Sequence, residues 1–85
     1  MVQDTHINVT MDFSHVAQGG GVYDLRIPTQ LTVKQLLFYV TDALHIDLPE
    51  QSRYAIKVTT KNLFIADDDY VIDYPVTDGD ILLVL

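Results

Sequence analysis

Residues 6–13 alternate strictly, with Ile7, Val9, Met11 and Phe13 on one side and His6, Asn8, Thr10 and Asp12 on the other. A repeat of two marks a strand with one face buried. Residues 14–21 end in Gly19, Gly20 and Gly21, which reverse the chain readily and predict a hairpin. Alternation resumes with Tyr23, Leu25 and Ile27 against Asp24 and Arg26, and Pro28 ends the second strand by removing a backbone donor. The repeat then changes. Thr32 followed by Gln35 forms a capping box that starts a helix at Val33. Val33, Leu36, Leu37, Val40 and Leu44 share one helical face, with Lys34, Phe38 and Asp42 pointing away, so the helix should lie on a sheet and end by about His45. Asp47 and Pro49 bound the connection that follows.

Tyr54, Ile56 and Val58 alternate with Ala55, Lys57 and Thr59, which predicts a third strand. Lys61 and Asn62 turn into a short strand over residues 63–65, and three aspartates, Asp67, Asp68 and Asp69, interrupt regular structure. Residues 70–77 read as a loop with a helical turn, Asp78-Gly79 as a tight turn, and residues 80–85 as a last, strongly apolar strand. The order is ββαββ with a long loop before the final strand. The chain has no repeat, low-complexity tract or linker, so the expectation is one α+β domain spanning residues 1–85, a mixed sheet packed on one helix.

Composition narrows the function classes. The formal charge is −7, and the five basic residues, Arg26, Lys34, Arg53, Lys57 and Lys61, are scattered. Nucleic acid and anionic membrane surfaces are therefore disfavoured as partners, since both call for clustered Lys and Arg. No apolar run approaches the roughly 20 residues that cross a bilayer, so no membrane insertion is expected. The first residues lack the basic and apolar regions of a signal peptide, and there is no cysteine, which together suit a reducing cytoplasm. The remaining class of ligand is protein.

Little in the sequence points to catalysis or cofactors. His6, His15 and His45 fall on a strand, a loop and a helix end without metal-ligand spacing. Six of the twelve acidic residues lie within residues 67–80, but neither the Asp67 run nor Asp78-Gly79-Asp80 has the offsets of a calcium loop. Turn chemistry accounts for these aspartates, and an acidic rim that docks a basic partner is a further possibility. Gly19-Gly20-Gly21 joins two strands and does not open a helix, so it is not a nucleotide site. No cofactor, metal site or enzymatic activity is expected.

Two segments resemble ubiquitin: Pro49-Glu50-Gln51-Ser52-Arg53-Tyr54, and Ile72-Asp73-Tyr74-Pro75-Val76 with the closing Ile81-Leu82-Leu83-Val84-Leu85. With the element order, this implies a ubiquitin-like β-grasp fold. Val9-Thr10-Met11-Asp12-Phe13, Tyr23-Asp24-Leu25-Arg26-Ile27-Pro28, Ile72-Asp73-Tyr74 and Thr77-Asp78-Gly79-Asp80-Ile81-Leu82 resemble the YukD/EsaB-like family more closely. These are small cytoplasmic ubiquitin-like proteins associated with type VII secretion in Gram-positive bacteria. The resemblance implies a regulatory or assembly role, by docking on a component of that machinery, and carries no catalytic residues. Conjugation requires a flexible tail ending in Gly-Gly, whereas this sequence closes at Leu85 within the expected last strand, so a non-conjugated protein is expected. Two other readings stay open from sequence: a modifier or sulfur carrier with a processed or incomplete tail, and a generic scaffold or oligomerisation domain.

Two binding surfaces follow. On the last strand Ile81, Leu83 and Leu85 are expected to face the helix, leaving Leu82 and Val84 on the open side of the sheet with Ala55 and Lys57 of the third strand. The second is Phe38, with Tyr39, off the buried helical stripe; the expectation is that Phe38 tucks beneath a neighbouring loop as a satellite of the core, with an interface role as the alternative. Oligomeric state is open.

Overall fold

The computed structural model describes residues 5–17, 20–49 and 53–85. Strands β1 (His6–Asp12) and β2 (Val22–Pro28) form the expected hairpin, helix α1 (Val33–Leu44) follows, and β3 (Ile56–Val58), β4 (Leu63–Ile65) and β5 (Ile81–Val84) complete one mixed sheet. The strand order is β2-β1-β5-β3-β4. β5 runs parallel to β1, while the β1–β2, β3–β4 and β3–β5 pairs are antiparallel. This is the β-grasp arrangement. Gln18, Gly19 and the segment 50–52 lie outside the described residues, as do residues 1–4.

Local chemistry explains each boundary. The hairpin loop closes on Phe13, whose carbonyl accepts from the Ala17 amide while its own amide donates to Gly21. A Cβ at Gly20 would stand 2.8 Å from the Ala17 carbonyl oxygen, so the close approach requires glycine. Both halves of the capping box form: the Gln35 amide donates to Thr32 Oγ1 at 3.2 Å, and the Thr32 amide donates to Gln35 Oε1 at 3.0 Å. The remaining helix-start donors are used as well, Val33 N–H by the Asp69 carbonyl and Lys34 N–H by the Asp67 carbonyl. At the other end His45 takes a left-handed conformation at φ 57°, with its amide on Asp42 O and the Ile46 amide on Thr41 O. This is a Schellman closure without its usual glycine.

The helix buries Val33, Leu36, Leu37 and Val40 against one face of the sheet. Met11, Ile27, Ile56, Val58, Ile65, Leu82 and Val84 of the sheet share one core with them, to which Phe13 and Val71 also belong. Residues 66–80 return the chain to β5 through a short 3₁₀ turn, Val71–Asp73. The Tyr74 hydroxyl donates to Asp69 Oδ2 at 2.6 Å and pins this loop. Asp78 and Gly79 stitch the end of the loop to β1: the Asn8 amide donates to Asp78 Oδ1 at 2.8 Å, and the Gly79 amide donates to the Asn8 carbonyl at 2.8 Å. Gly79 sits at φ 89°, a conformation that a side chain resists.

The structure corrects the phase expected for the last strand. Leu82 and Val84 are buried, at 1% and 0% exposure, while Ile81 and Leu85 are exposed and Leu83 is half-buried. The cause is the parallel register with β1, which sets Leu82 beside Met11, a residue whose own alternation already points it at the helix. The antiparallel register with β3 agrees, placing Leu82 beside Val58 and Val84 beside Ile56.

Candidate functional site

With the phase of β5 reversed, the open face of the sheet is different from the one the sequence suggested. Leu82 and Val84 leave it for the core, and Ile81, Leu83 and Leu85 take their place. Paired residues share a face, so one row runs Val22, Asp12, Leu83, Lys57, Phe64 across all five strands. A second row places Asp24 beside Thr10 and Thr10 beside Ile81. Ala55 and Leu85 extend the patch beyond the strand ends by exchanging two backbone hydrogen bonds, at 3.2 and 2.9 Å. Ala55 and Lys57 thus lie where they were expected, beside new neighbours.

The middle of this face is apolar, with Phe64 58% exposed and Ile81, Leu83 and Leu85 grouped behind it. Lys57 spans it, its ammonium 5.4 Å from the centroid of the Phe64 ring, within cation–π range. Carboxylates border the β1–β2 side. The Thr10 hydroxyl donates to Asp24 Oδ1 at 2.7 Å, and the Ser14 hydroxyl and amide donate to Asp12 Oδ1 at 2.6 and 2.9 Å. The Ser14 bonds favour the charged form and hold the Asp12 carboxyl below the usual carboxylate range. The result is an apolar strip with a cation set within it, between Leu83 and Phe64, and anions along its β1–β2 side, which suits a partner of complementary polarity.

Phe38 behaves otherwise than expected. Among the described residues no loop covers it, and it is 76% exposed on the outer side of α1. It borders a groove of ≈ 850 Å³, with Leu37, Thr41, Leu48 and Tyr54 along its walls. The Tyr54 hydroxyl donates to the Pro49 carbonyl and braces one wall. Because α1 lies on the opposite side of the sheet from Lys57, Phe38 and Ala55/Lys57 belong to two separate surfaces.

The aspartates of residues 67–80 are engaged mostly in turns. Asp69 accepts from Tyr74, and Asp78 from the Asn8 amide. Asp80 is buried, and accepts from Thr60 Oγ1 at 2.8 Å, the Thr77 amide at 2.8 Å and Lys61 Nζ at 2.7 Å. Lys61 also donates to the Pro75 carbonyl and to Thr77 Oγ1, so this one ion pair ties the β3–β4 turn to the approach of β5. Burial pushes the Asp80 carboxyl up, but the hydrogen bonds from Lys61, Thr77 and Thr60 outweigh it and hold the group below the ordinary range. Among the described residues no three His, Asp or Glu side chains gather where they could hold a metal ion, and no helix is long and apolar enough to cross a membrane.

Ile81, Leu83, Leu85 and Phe64 are the site residues that the sequence did not reveal. The available signal was indirect. Alternation in β3 directs Ala55 and Lys57 outward, and whatever pairs with them must also face outward.

Comparison with known proteins agrees with this architecture. A solved chain described under "Molecular Mimicry of SUMO promotes DNA repair" superposes with a TM-score of 0.73, covering 99% of this chain and 95% of that one at 19% identity, a likeness of fold. The type VII secretion system accessory factor EsaB of Staphylococcus aureus (strain Newman) is 40% identical over 80 residues, spanning 94% of this chain and 96% of its own length. The ESX secretion system protein YukD of Bacillus subtilis (strain 168) is 28% identical over 80 residues, spanning 94% and 99%. Residues 6–84 match the family model described as WXG100 protein secretion system (Wss), protein YukD. This chain, with its β-grasp sheet and its relatives named as secretion-system proteins, belongs to the YukD family.

Proposed function

We propose that this chain is a non-conjugated ubiquitin-like accessory protein of a type VII secretion system that works in the cytoplasm by binding a component of the secretion machinery through the open face of its sheet. The reading assigns reversible binding to the chain and no catalysis. Family membership supports the setting, through a relative named as a type VII secretion system accessory factor and another named as an ESX secretion system protein. The observation that carries the mode of action is the strip of Phe64, Ile81, Leu83 and Leu85 around Lys57, which leaves large apolar side chains in contact with solvent on the face of the sheet opposite the helix. Contiguous exposed apolar surface with a polar rim is a mark of protein–protein interfaces.

Complementation tests the proposal in the native host. In cells lacking the chain, wild type should restore export of the system's substrates, whereas Leu83→Asp and Phe64→Ser should fail while accumulating to wild-type levels. Full restoration by both variants would remove the open face from the account.

A further inference from the structure

β2 lies at the end of the sheet, and among the described residues no strand pairs with its outer side. The strand is long for an edge, with seven consecutive residues in unbroken register with β1 and no bulge. Long flat edges invite another strand unless something blunts them. The Thr29 amide donates to the Thr5 carbonyl and the Phe13 amide to the Gly21 carbonyl, both at 3.0 Å, which fixes the odd-numbered residues of β2 as those bonded toward β1. Backbone groups alternate along an antiparallel strand, so the outward set belongs to Val22, Asp24, Arg26 and Pro28. Pro28, which has no N–H, sits in this outward set, the arrangement in which an edge strand tolerates proline.

We propose that this edge pairs with the same edge of a second copy of the chain, making a two-fold symmetric dimer with one continuous sheet. Charge selects the register. The even residues must oppose even residues, because their backbone groups are the ones available. Placing Asp24 opposite Asp24, or Arg26 opposite Arg26, sets like charges together and is destabilising. Moving one step between those two registers puts Asp24 opposite Arg26 of the second copy, and Arg26 opposite its Asp24, so both cross-strand pairs become attractive at once. The Thr10 hydroxyl already orients the Asp24 carboxylate on this face. Arg26 carries five donors and can add a carboxylate to the contacts it makes within its own chain.

The same register is apolar on the helix side. Leu25 falls on the two-fold axis opposite Leu25 of the second copy, and Tyr23 falls opposite Ile27. All three are apolar or aromatic, and Leu25 and Tyr23 are only partly covered in the single chain. A recess of ≈ 120 Å³ borders the edge between β2 and α1, lined by Leu25, Ile27, Tyr39, Val40 and Ala43, and it offers a place for the incoming side chains. Isologous contacts require this self-complementarity. The dimer lies at the weak end of the affinity range because the contact is one strand wide.

Sedimentation equilibrium up to about 1 mM chain reads the association directly. Wild type is expected to show a reversible monomer–dimer equilibrium. Asp24→Arg alone and Arg26→Asp alone should each weaken it at least about tenfold, because symmetry counts every reversal twice. Asp24→Arg/Arg26→Asp together should recover wild-type association to within a few fold. Leu25→Cys gives an independent readout, since the chain has no other cysteine. The two thiols would meet across a non-hydrogen-bonded pair at about 4.5 Å between Cα atoms, inside the disulfide range. Mild oxidation should therefore link Leu25→Cys as a dimer. Val22→Cys should not link, because this register leaves the two copies of residue 22 about 20 Å apart. A chain that stays monomeric at the highest concentration would overturn the proposal and leave the edge to an extended segment of another protein. Dimers indifferent to the single reversals, or linked through Val22→Cys, would overturn it equally.

Discussion

Replacing Leu82 and Leu83 by alanine, one at a time, sets two adjacent leucines against each other on opposite faces of one strand. Leu82 is 1% exposed and is flanked by Met11 and Val58 in the sheet. Leu82→Ala removes Cγ and both Cδ atoms, about 2.4 kcal/mol at roughly 0.8 kcal/mol for each buried carbon. The hole left beneath α1 adds a cavity contribution, bringing the loss to about 3–5 kcal/mol. That is a large share of the roughly 4–13 kcal/mol available to a domain of this length. Leu83 sits half-buried on the open face, where the same truncation leaves no enclosed cavity and should cost below about 1 kcal/mol. Urea unfolding followed by far-ultraviolet circular dichroism measures both. With a slope of about 1–1.5 kcal/mol per molar, Leu82→Ala should lower the midpoint by about 2 M or more, and Leu83→Ala by well under 1 M. Equal losses, or a larger loss from Leu83→Ala, would refute the assigned phase of β5 and the open face built on it.

Four further outcomes follow from particular contacts. Asp80→Asn leaves the Lys61 ammonium without its charge partner and should cost about 1–3 kcal/mol in thermal or chemical unfolding. Because the folded Asp80 carboxyl is held below its ordinary value, the stability it contributes is present above the unfolded-state value and is lost as pH falls through the lower folded one. Unfolding midpoints of the wild type should therefore drop across the acid range more steeply than those of Asp80→Asn. Thr32→Ala removes one arm of the capping box and should cost about 1 kcal/mol. His45→Gly relieves a left-handed residue at the helix end and should stabilise the fold by up to about 1 kcal/mol, read as a rise in melting temperature.

The parts of the fold that were legible in the sequence are those where polar and apolar residues interleave. In β1, Asn8, Thr10 and Asp12 separate Val9 from Met11 and Phe13, so which side faces the core needs no partner strand to establish it. Thr32 and Gln35 spell out a local hydrogen-bond exchange, and the structure contains it. β5 differs because residues 81–85 are all apolar. No polar residue marks its outward side, and its phase is fixed only by pairing with Met11 and Val58, far away in sequence. β4 presents the same difficulty, since Phe64 stands between Leu63 and Ile65 and is turned outward by its register with Lys57. Phe38 failed in another way. Its place off the buried stripe was evident from the helical repeat, but whether a loop covers it depends on the path of residues distant in the chain, and none of the described ones does. Lys61 and Asp80 each read as turn residues, and their union required the β3–β4 turn and the approach to β5 to be brought together.

Site-specific photo-crosslinking in the native host tests the central claim most directly. A photoreactive amino acid would replace Leu83 or Phe64 on the open face, and, in parallel, Phe38 on the outer side of the helix. The account predicts that the first two positions crosslink to a component of the type VII secretion machinery, identified by mass spectrometry, and that the Phe38 position does not. Crosslinks to such a component from the Phe38 position alone, or from neither surface, would contradict it.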